Sequence, residues 1–227
     1  MEKYSINSKK FIVNKTVNEM YSCSKRIYDD IINDNEWRNP MEFKIKKDKH
    51  RIDKLFYLKL YKGEDFMFEG AFSKECWYPK EAVKEPGDKN KLFGVSLERL
   101  PFPKKIQPAD WWSLAPWHWN SIRLAWRPDF NNKGMINVFP YIYDAGTRIA
   151  CPRLFSIKSE EKFVIGVESF NDKLSTEYKI HAYTNNRKYI DEYCFEYLVD
   201  PKGYYLPPYF GGNNVSPQDM FIYINII

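Results

Sequence analysis

Four tryptophans fall within ten residues, in the stretch WWSLAPWHWN from Trp111 to Asn120. If WHWNSIRLAW is one extended strand, its side chains alternate between two faces, and Trp117, Trp119, Arg123 and Arg127 share one face. Indole rings stack on sugars or nucleobases and anchor protein interfaces. A guanidinium pairs with a carboxylate through two parallel hydrogen bonds. The pattern predicts a binding surface, and it leaves a sugar, a single-stranded nucleic acid and a protein open as ligands.

The other face of the same strand is apolar. Ile122, Leu124 and Trp126 occupy it and are predicted to enter the core, because a shift of one residue would bury both arginines instead. We expect the binding surface to be solvent-accessible and to extend onto neighbouring strands, with ligand-binding residues Trp117, Trp119, Arg123, Arg127, Tyr141, Tyr143 and His181. Trp111 and Trp112 precede Pro116, and they either join this surface or close one end of the fold.

Motifs that define catalytic centres are absent from the sequence. It contains no GxSxG elbow, no phosphate-binding glycine loop and no Cys or His pair at metal-ligand spacing, so we predict no metal and no cofactor. One catalytic alternative stays open: Arg123 with His181 and the tyrosines Tyr141, Tyr143 and Tyr183. Such a set suits a polysaccharide lyase, in which arginine neutralises a uronate carboxylate and tyrosine or histidine removes the adjacent proton.

Charge and composition limit the classes of partner. The 227-residue chain carries 35 basic and 30 acidic residues, and the two signs are interspersed. Nucleic-acid binding is not predicted, because the chain lacks a concentrated basic face. Membrane insertion is not predicted either, because the chain has no long apolar run. The N-terminus lacks the apolar region of a signal peptide, so we expect synthesis in the cytoplasm and reduced cysteines. Glycans or other protein subunits, including further copies of this chain, remain as expected partners.

The elements that must position these residues are short strands separated by turn residues. Aromatic residues make up 18% of the chain, which favours strands. The strand candidates are MEFKIKK, LFYLKLY, FMFEGAF, LFGVSL, NSIRLAWRP, MINVFPYIYD, AGTRIACPRLFSI, KFVIGVESF, STEYKIHAYT, IDEYCFEYLV and DMFIYINII. KGED is a turn signal between LFYLKLY and FMFEGAF, and we predict that it joins them as a hairpin. This pattern predicts an all-β, antiparallel sandwich of the jelly-roll type. We expect one domain over residues 41–227 and a small, irregular or partly helical segment over residues 1–40.

Four stretches carry a resemblance to known proteins: NKLFGVSL, WHWNSIRLAWRP, NVFPYIYDAGTRI and YYLPPYFGGNNVSPQDMFIYINI. Through them the chain, from Lys91 to Ile227, resembles bacterial and phage all-β proteins of uncharacterised function, which are similar to the concanavalin A-like lectin/glucanase jelly roll. The resemblance implies two packed sheets with a ligand on a concave face. It favours a non-enzymatic, glycan-binding or structural module, such as a component of a virion or another assembly, with a lyase for acidic glycans as the alternative.

Overall fold

A computed structural model describes residues 40–53, 60–98, 118–171, 175–184, 187–196 and 201–227 of the chain. The predicted N-terminal helix and the residues Trp111, Trp112 and Trp117 lie outside the described residues. The division into an N-terminal segment and a sandwich domain therefore stays a prediction. No helix in the described part of the chain is long and apolar enough to cross a membrane.

Short strands account for nearly all of the regular structure that is described. In chain order they are β1 (Met41–Ile45), β2 (Leu60–Tyr61), β3 (Phe66–Phe72), β4 (Asn90–Ser96), β5 (Ser121–Pro128), β6 (Met135–Asp144), β7 (Thr147–Ile149), β8 (Phe155–Lys158), β9 (Phe163–Asn171), β10 (Ser175–Thr184), β11 (Arg187–Glu196), β12 (Gly203–Leu206) and β13 (Met220–Ile226). Two 3₁₀ turns, Lys74–Cys76 and Lys80–Ala82, follow β3.

The strands form two antiparallel sheets among the described residues. The six-stranded sheet has the order β1-β13-β3-β9-β10-β11. The seven-stranded sheet has the order β2-β12-β4-β5-β6-β7, with β8 also paired to β6. In each sheet one strand from the end of the chain, β13 or β12, lies between two strands from its beginning, as in a jelly roll. The predicted fold class, an all-β antiparallel sandwich, is confirmed.

Aromatic side chains fill the space between the sheets. Phe68 of the six-stranded sheet packs against Phe93 of the seven-stranded sheet, with ring centroids 5.1 Å apart. Phe72 meets Trp126 across the same gap at 5.3 Å. Ile122 and Leu124 are buried beside Trp126, as predicted from their alternation along β5. Truncating one such side chain costs about 3–5 kcal/mol, so these contacts fix which face of β5 points outward.

One prediction about the strands is wrong. KGED does not close a hairpin, because β2 pairs with β12 in one sheet and β3 pairs with β13 and β9 in the other. The segment instead carries the chain between sheets. Within β2, Leu60 is exposed, while Tyr61 is fully buried. Strand β12 was not predicted, because its four residues follow the turn signal DPKG too closely to show a period.

Candidate functional site

Trp119 occupies a turn before β5 rather than the strand itself. The strand begins at Ser121, so alternation does not decide the direction of Trp119. The side chain is 54% exposed. Its ring lies over Gly146, where an added Cβ would come within 3.3 Å of Trp119 Cε3, and Gly146 has a φ of +80°. Asn120 Oδ1 accepts a hydrogen bond of 2.8 Å from the Ala145 amide, which holds this turn against the β6–β7 connection.

Arg123 lies on the outer side of β5, but it is not solvent-accessible as predicted. It is only 8% exposed. Its guanidinium is fixed by a hydrogen bond of 2.7 Å from Nη2 to the Pro207 carbonyl. Its partner on β4 is Gly94, where the two strands approach so closely that an added Cβ would lie 2.5 Å from Arg123 Cα. Burial lowers the pKa of Arg123 to about 10, and its Nε has no hydrogen-bond partner among the described residues.

Tyr141 pairs with Arg123 across β5 and β6 and is also buried, contrary to the prediction of an accessible surface. Two cations enclose its ring: Lys91 Nζ lies 5.0 Å and Arg148 Cζ 5.9 Å from the centroid. Burial acts to raise the pKa of Tyr141, but Lys91, together with hydrogen bonding from Tyr143 and Arg148, outweighs burial and lowers it. This phenol therefore loses its proton more readily than an ordinary tyrosine.

Tyr143 is the next outward residue of β6 and lies at the end of the strand nearest Trp119. Its ring centroid is 5.7 Å from that of Tyr141 and 5.4 Å from that of His118. Burial, followed by hydrogen bonding to Tyr141, raises the pKa of Tyr143 to about 12. Two neighbouring phenols thus have pKa values that are shifted in opposite directions.

Phe139 precedes Tyr141 on the outer side of β6 and is flanked in the same way. Lys89 Nζ lies 4.0 Å and Arg127 Cζ 5.4 Å from the Phe139 centroid. The pKa values of Lys89 and Lys91 are both lowered, and burial is the largest cause of each shift. At the far end of this row, Arg153 Nη1 donates a hydrogen bond of 3.2 Å to Asn137 Oδ1.

These side chains make one continuous surface on the outer side of the seven-stranded sheet. We call it the cationic face and define it by Lys89, Lys91, Arg123, Arg127, Arg148 and Arg153, with the rings of Phe139, Tyr141 and Tyr143. None of its six cations forms an ion pair with a carboxylate in the part of the chain that the structure describes. The face therefore has the charge and the hydrogen-bond donors to hold an anionic group.

His181 does not belong to this surface, so the prediction that it extends the surface is wrong. It lies on β10 in the six-stranded sheet, with its side chain on the outer side and 2% exposed. Its Nε2 is 3.0 Å from Glu168 Oε2, and hydrogen bonding to His181 lowers the pKa of Glu168. The ring stacks beside Tyr183 at 6.4 Å. The sequence of one strand does not show which sheet that strand joins.

Sequence reasoning missed Lys89, Lys91 and Arg148. Lys89 and Lys91 lie in EPGDKNK, whose proline, glycine and charged residues are typical of a surface loop, and Arg148 lies just after the Ala145-Gly146 turn. These residues reach the face through the pairings of β4 with β5 and of β7 with β6. For Arg148 the sequence contained a usable signal. A tight turn at Ala145-Gly146 pairs the residues on its two sides, so Arg148 could have been placed beside Tyr143.

No group of three or more metal-ligating side chains is arranged to hold an ion in the described ranges. Asp129, one of the loop carboxylates, accepts hydrogen bonds from the Asn131 amide at 3.0 Å and from Asn132 Nδ2 at 3.0 Å. These bonds explain its lowered pKa, of which the hydrogen bond from Asn132 is the largest cause. Asp129 therefore stabilises its own turn.

Comparison with known proteins adds one finding about similarity. No protein-family model and no curated protein matches the sequence. Among solved structures, chicken galectin 2 matches over 82% of this chain and 100% of its own, with 11% identity and a TM-score of 0.29. A likeness this low carries no information about a site, so function has to be inferred from the geometry of the cationic face.

Proposed function

We propose that the protein is a non-catalytic binding module that holds an acidic glycan on the cationic face. The observation that carries this proposal is a set of six cations, four of them over outward-facing rings, none paired with a described carboxylate. A ligand that brings its own negative charges would supply the missing partners. Trp119, exposed at one end, adds an apolar surface on which the C–H face of a sugar ring stacks.

The buried arginine explains why the ligand is expected to be anionic rather than neutral. Removing a charged group from water lowers stability unless an opposite charge or several hydrogen bonds compensate. Arg123 donates a hydrogen bond to the Pro207 carbonyl, and its Nε has no hydrogen-bond partner among the described residues. A carboxylate or sulfate placed beside Lys91 and Arg123 would form charge-assisted hydrogen bonds, which are stronger than those to a hydroxyl.

A titration of acidic and neutral polysaccharides tests this function. We expect saturable binding of polygalacturonate or dextran sulfate in calorimetry and none of unmodified dextran. Lys91→Gln should weaken the interaction about 10-fold, since it removes one charge-assisted contact of 1–2 kcal/mol. Lys188→Gln is the matched control, because Lys188 Nζ also lies over a tyrosine ring, 5.3 Å from the Tyr183 centroid, but on the six-stranded sheet. Equal losses in the two variants would contradict a site on the cationic face.

A lyase acting on acidic glycans is the second candidate, and one observation favours it. Tyr141 and Tyr143 are adjacent phenols with pKa values shifted in opposite directions, which is how an acid and a base are divided within one site. Ionised Tyr141 would take the proton beside a uronate carboxylate that Lys91 and Arg123 neutralise. The bond to the neighbouring sugar would then break, and Tyr143 would protonate the departing oxygen.

The two candidates differ in a single measurement. A lyase creates a carbon–carbon double bond in the product, so ultraviolet absorbance rises when protein and polyuronate are incubated together. We expect no rise for a binding module, and the same trace for Tyr141→Phe as for the wild type. A rise that Tyr141→Phe abolishes would replace the first candidate with the second.

A place in a phage particle or another assembly stays a prediction of the sequence. Its test is the mass of the protein in solution, measured by light scattering over a range of concentrations. A mass of several chains would support assembly, and a monomer of 27.2 kDa at all concentrations would count against it.

A further inference from the structure

The cationic face contains the same local arrangement twice. Tyr141 lies between Lys91 and Arg148, at 5.0 and 5.9 Å from its ring centroid. Lys89 and Arg127 lie over the Phe139 ring, at 4.0 and 5.4 Å from its centroid. Each group consists of one outward aromatic residue of β6 with two cations over its ring.

The two groups are spaced regularly along the sheet. Phe139 and Tyr141 are successive outward residues of β6, so their Cα atoms are about 7 Å apart. Their partners on β5 are Ala125 and Arg123, which keeps both rings in register with the same neighbouring strand. A ligand with one anionic group satisfies one arrangement and leaves the other without a counter-charge.

The face continues beyond the two groups in both directions. Arg153 reaches Asn137, which is one further outward position along β6 from Phe139. At the opposite end, Trp119 lies over Gly146 beside the last outward residue, Tyr143. Four successive outward positions, each about 7 Å from the next, give a surface of about 20 Å along the strands.

We propose that the ligand is an acidic oligosaccharide that lies along β6, with one anionic group at each of the two cation–ring–cation groups and its end sugar on Trp119. This inference rests on the proposed function and deepens it, from one acidic sugar to a chain of at least two charged residues. The repeated arrangement and the length of the face are the observations that carry it.

The rings also explain why a glycan fits better than a single-stranded nucleic acid. Binding of a single strand uses a succession of exposed aromatic rings on which bases stack. Phe139 and Tyr141 are buried and have cations over their faces, so neither offers a free ring. Trp119 alone provides an exposed ring among the described residues of this face.

A series of galacturonic acid oligomers, from one to six residues, tests the inference by calorimetry. We expect affinity to rise by at least about 10-fold between the monomer and the trimer, because linked groups bind with a high effective concentration. The rise should level off once the chain spans the face. Neutral maltooligosaccharides of equal length are the control for contacts that do not depend on charge.

A pair of double variants locates the two binding positions. Lys89→Gln with Arg127→Gln, or Lys91→Gln with Arg148→Gln, should reduce the affinity for the trimer by at least about 10-fold. Either variant should change the affinity for the monomer by about twofold, because the other group still binds it. Circular dichroism spectra identical to that of the wild type establish that both variants are folded.

The outcomes separate the inference from the function on which it rests. Equal affinity for monomer and trimer would overturn the inference while leaving an acidic-glycan site in place. Binding of neither the oligomers nor the polymer would contradict the proposed function itself. Binding of oligothymidylate as tight as that of the uronate oligomers would overturn the choice of a glycan over a nucleic acid.

Discussion

The outer surfaces of the two sheets differ in whether their basic side chains are paired with carboxylates. On the six-stranded sheet, Lys179 Nζ lies 2.8 Å from Glu192 Oε1, and His181 Nε2 lies 3.0 Å from Glu168 Oε2. On the cationic face, no described carboxylate pairs with any of the six cations. Because an unpaired charge near the interior lowers stability, the first arrangement is what folding alone favours. The second is expected where a ligand brings the opposite charge, so the comparison marks the cationic face as the site.

The largest expected effect is at Arg123. Arg123→Met replaces a buried cation by an apolar side chain of similar length. We expect the affinity for acidic oligosaccharides to fall about 100-fold, or about 2.7 kcal/mol. The free energy of unfolding should stay equal or rise, because a buried charge is removed. Calorimetric titration measures the affinity, and chemical denaturation of the same preparation measures the free energy of unfolding. A loss of stability above about 1 kcal/mol with unchanged affinity would show that Arg123 stabilises the fold and does not bind the ligand.

We call the outer side of the six-stranded sheet, with its Lys179–Glu192 and His181–Glu168 contacts, the paired face. Substitutions there should affect stability and not binding. Glu168→Gln is expected to lower the free energy of unfolding by about 1–2 kcal/mol, since it weakens the hydrogen bond between the Glu168 carboxylate and His181, and to leave glycan affinity unchanged. Hydrogen bonding to His181 holds the pKa of Glu168 below its usual 4.5, so this contribution is present above pH 4.5 and is lost as the pH falls below it. Denaturation at pH 6 should therefore separate wild type and variant more than at pH 3. A constant difference across this range would argue against the Glu168–His181 hydrogen bond as its source.

A smaller effect is expected at Trp119. Trp119→Ala removes an exposed ring, so binding should weaken about 5- to 10-fold, the size of one stacking contact, while the melting temperature changes little. Trp126→Ala is the matched control inside the sandwich, where the same change should cost about 3–5 kcal/mol of stability. If Trp119→Ala destabilised the protein as much as Trp126→Ala, the side chain would belong to the core.

The smallest expected effect is a loss of binding at alkaline pH. Burial lowers the pKa of Lys91 below its usual 10.5, and the pKa of Tyr141 is lowered as well. As the pH rises, the ammonium loses its charge and the phenol gains one, so affinity should fall two- to threefold below pH 10.5. Lys91→Arg combined with Tyr141→Phe should flatten this profile between pH 7 and 10. A wild-type profile that is already flat would indicate that neither group meets the ligand.

The sequence predicted the fold and one strand of the site correctly for a common physical reason. Alternation along β5 is a local property, so Ile122, Leu124 and Trp126 could be assigned to the core and Arg123 to the outer side. Sheet membership is not local. It depends on pairings between distant strands, which is why His181 was assigned to the wrong sheet and KGED to a hairpin that does not exist.

The sequence of a single strand also does not predict how deeply its outward side chains are buried. Arg123 and Tyr141 were expected to be accessible, yet neighbouring side chains and the Pro207 carbonyl enclose them. The cations that complete the site, Lys91 and Arg148, come from strands on either side of the β5–β6 pair. Only the register of four strands brings these side chains together.

Mapping of amide chemical shifts on ¹⁵N-labelled protein tests the central claim most directly. During titration with an acidic tetrasaccharide, we predict saturable shifts concentrated in Asn90–Ser96, Ser121–Pro128, Met135–Asp144 and Thr147–Ile149, the strands that carry the cationic face. The amides of Phe163–Asn171 and Ser175–Thr184, on the paired face, should stay in place. Saturable shifts confined to those two strands, or the absence of any saturable shift, would contradict the assignment of the cationic face as the binding site.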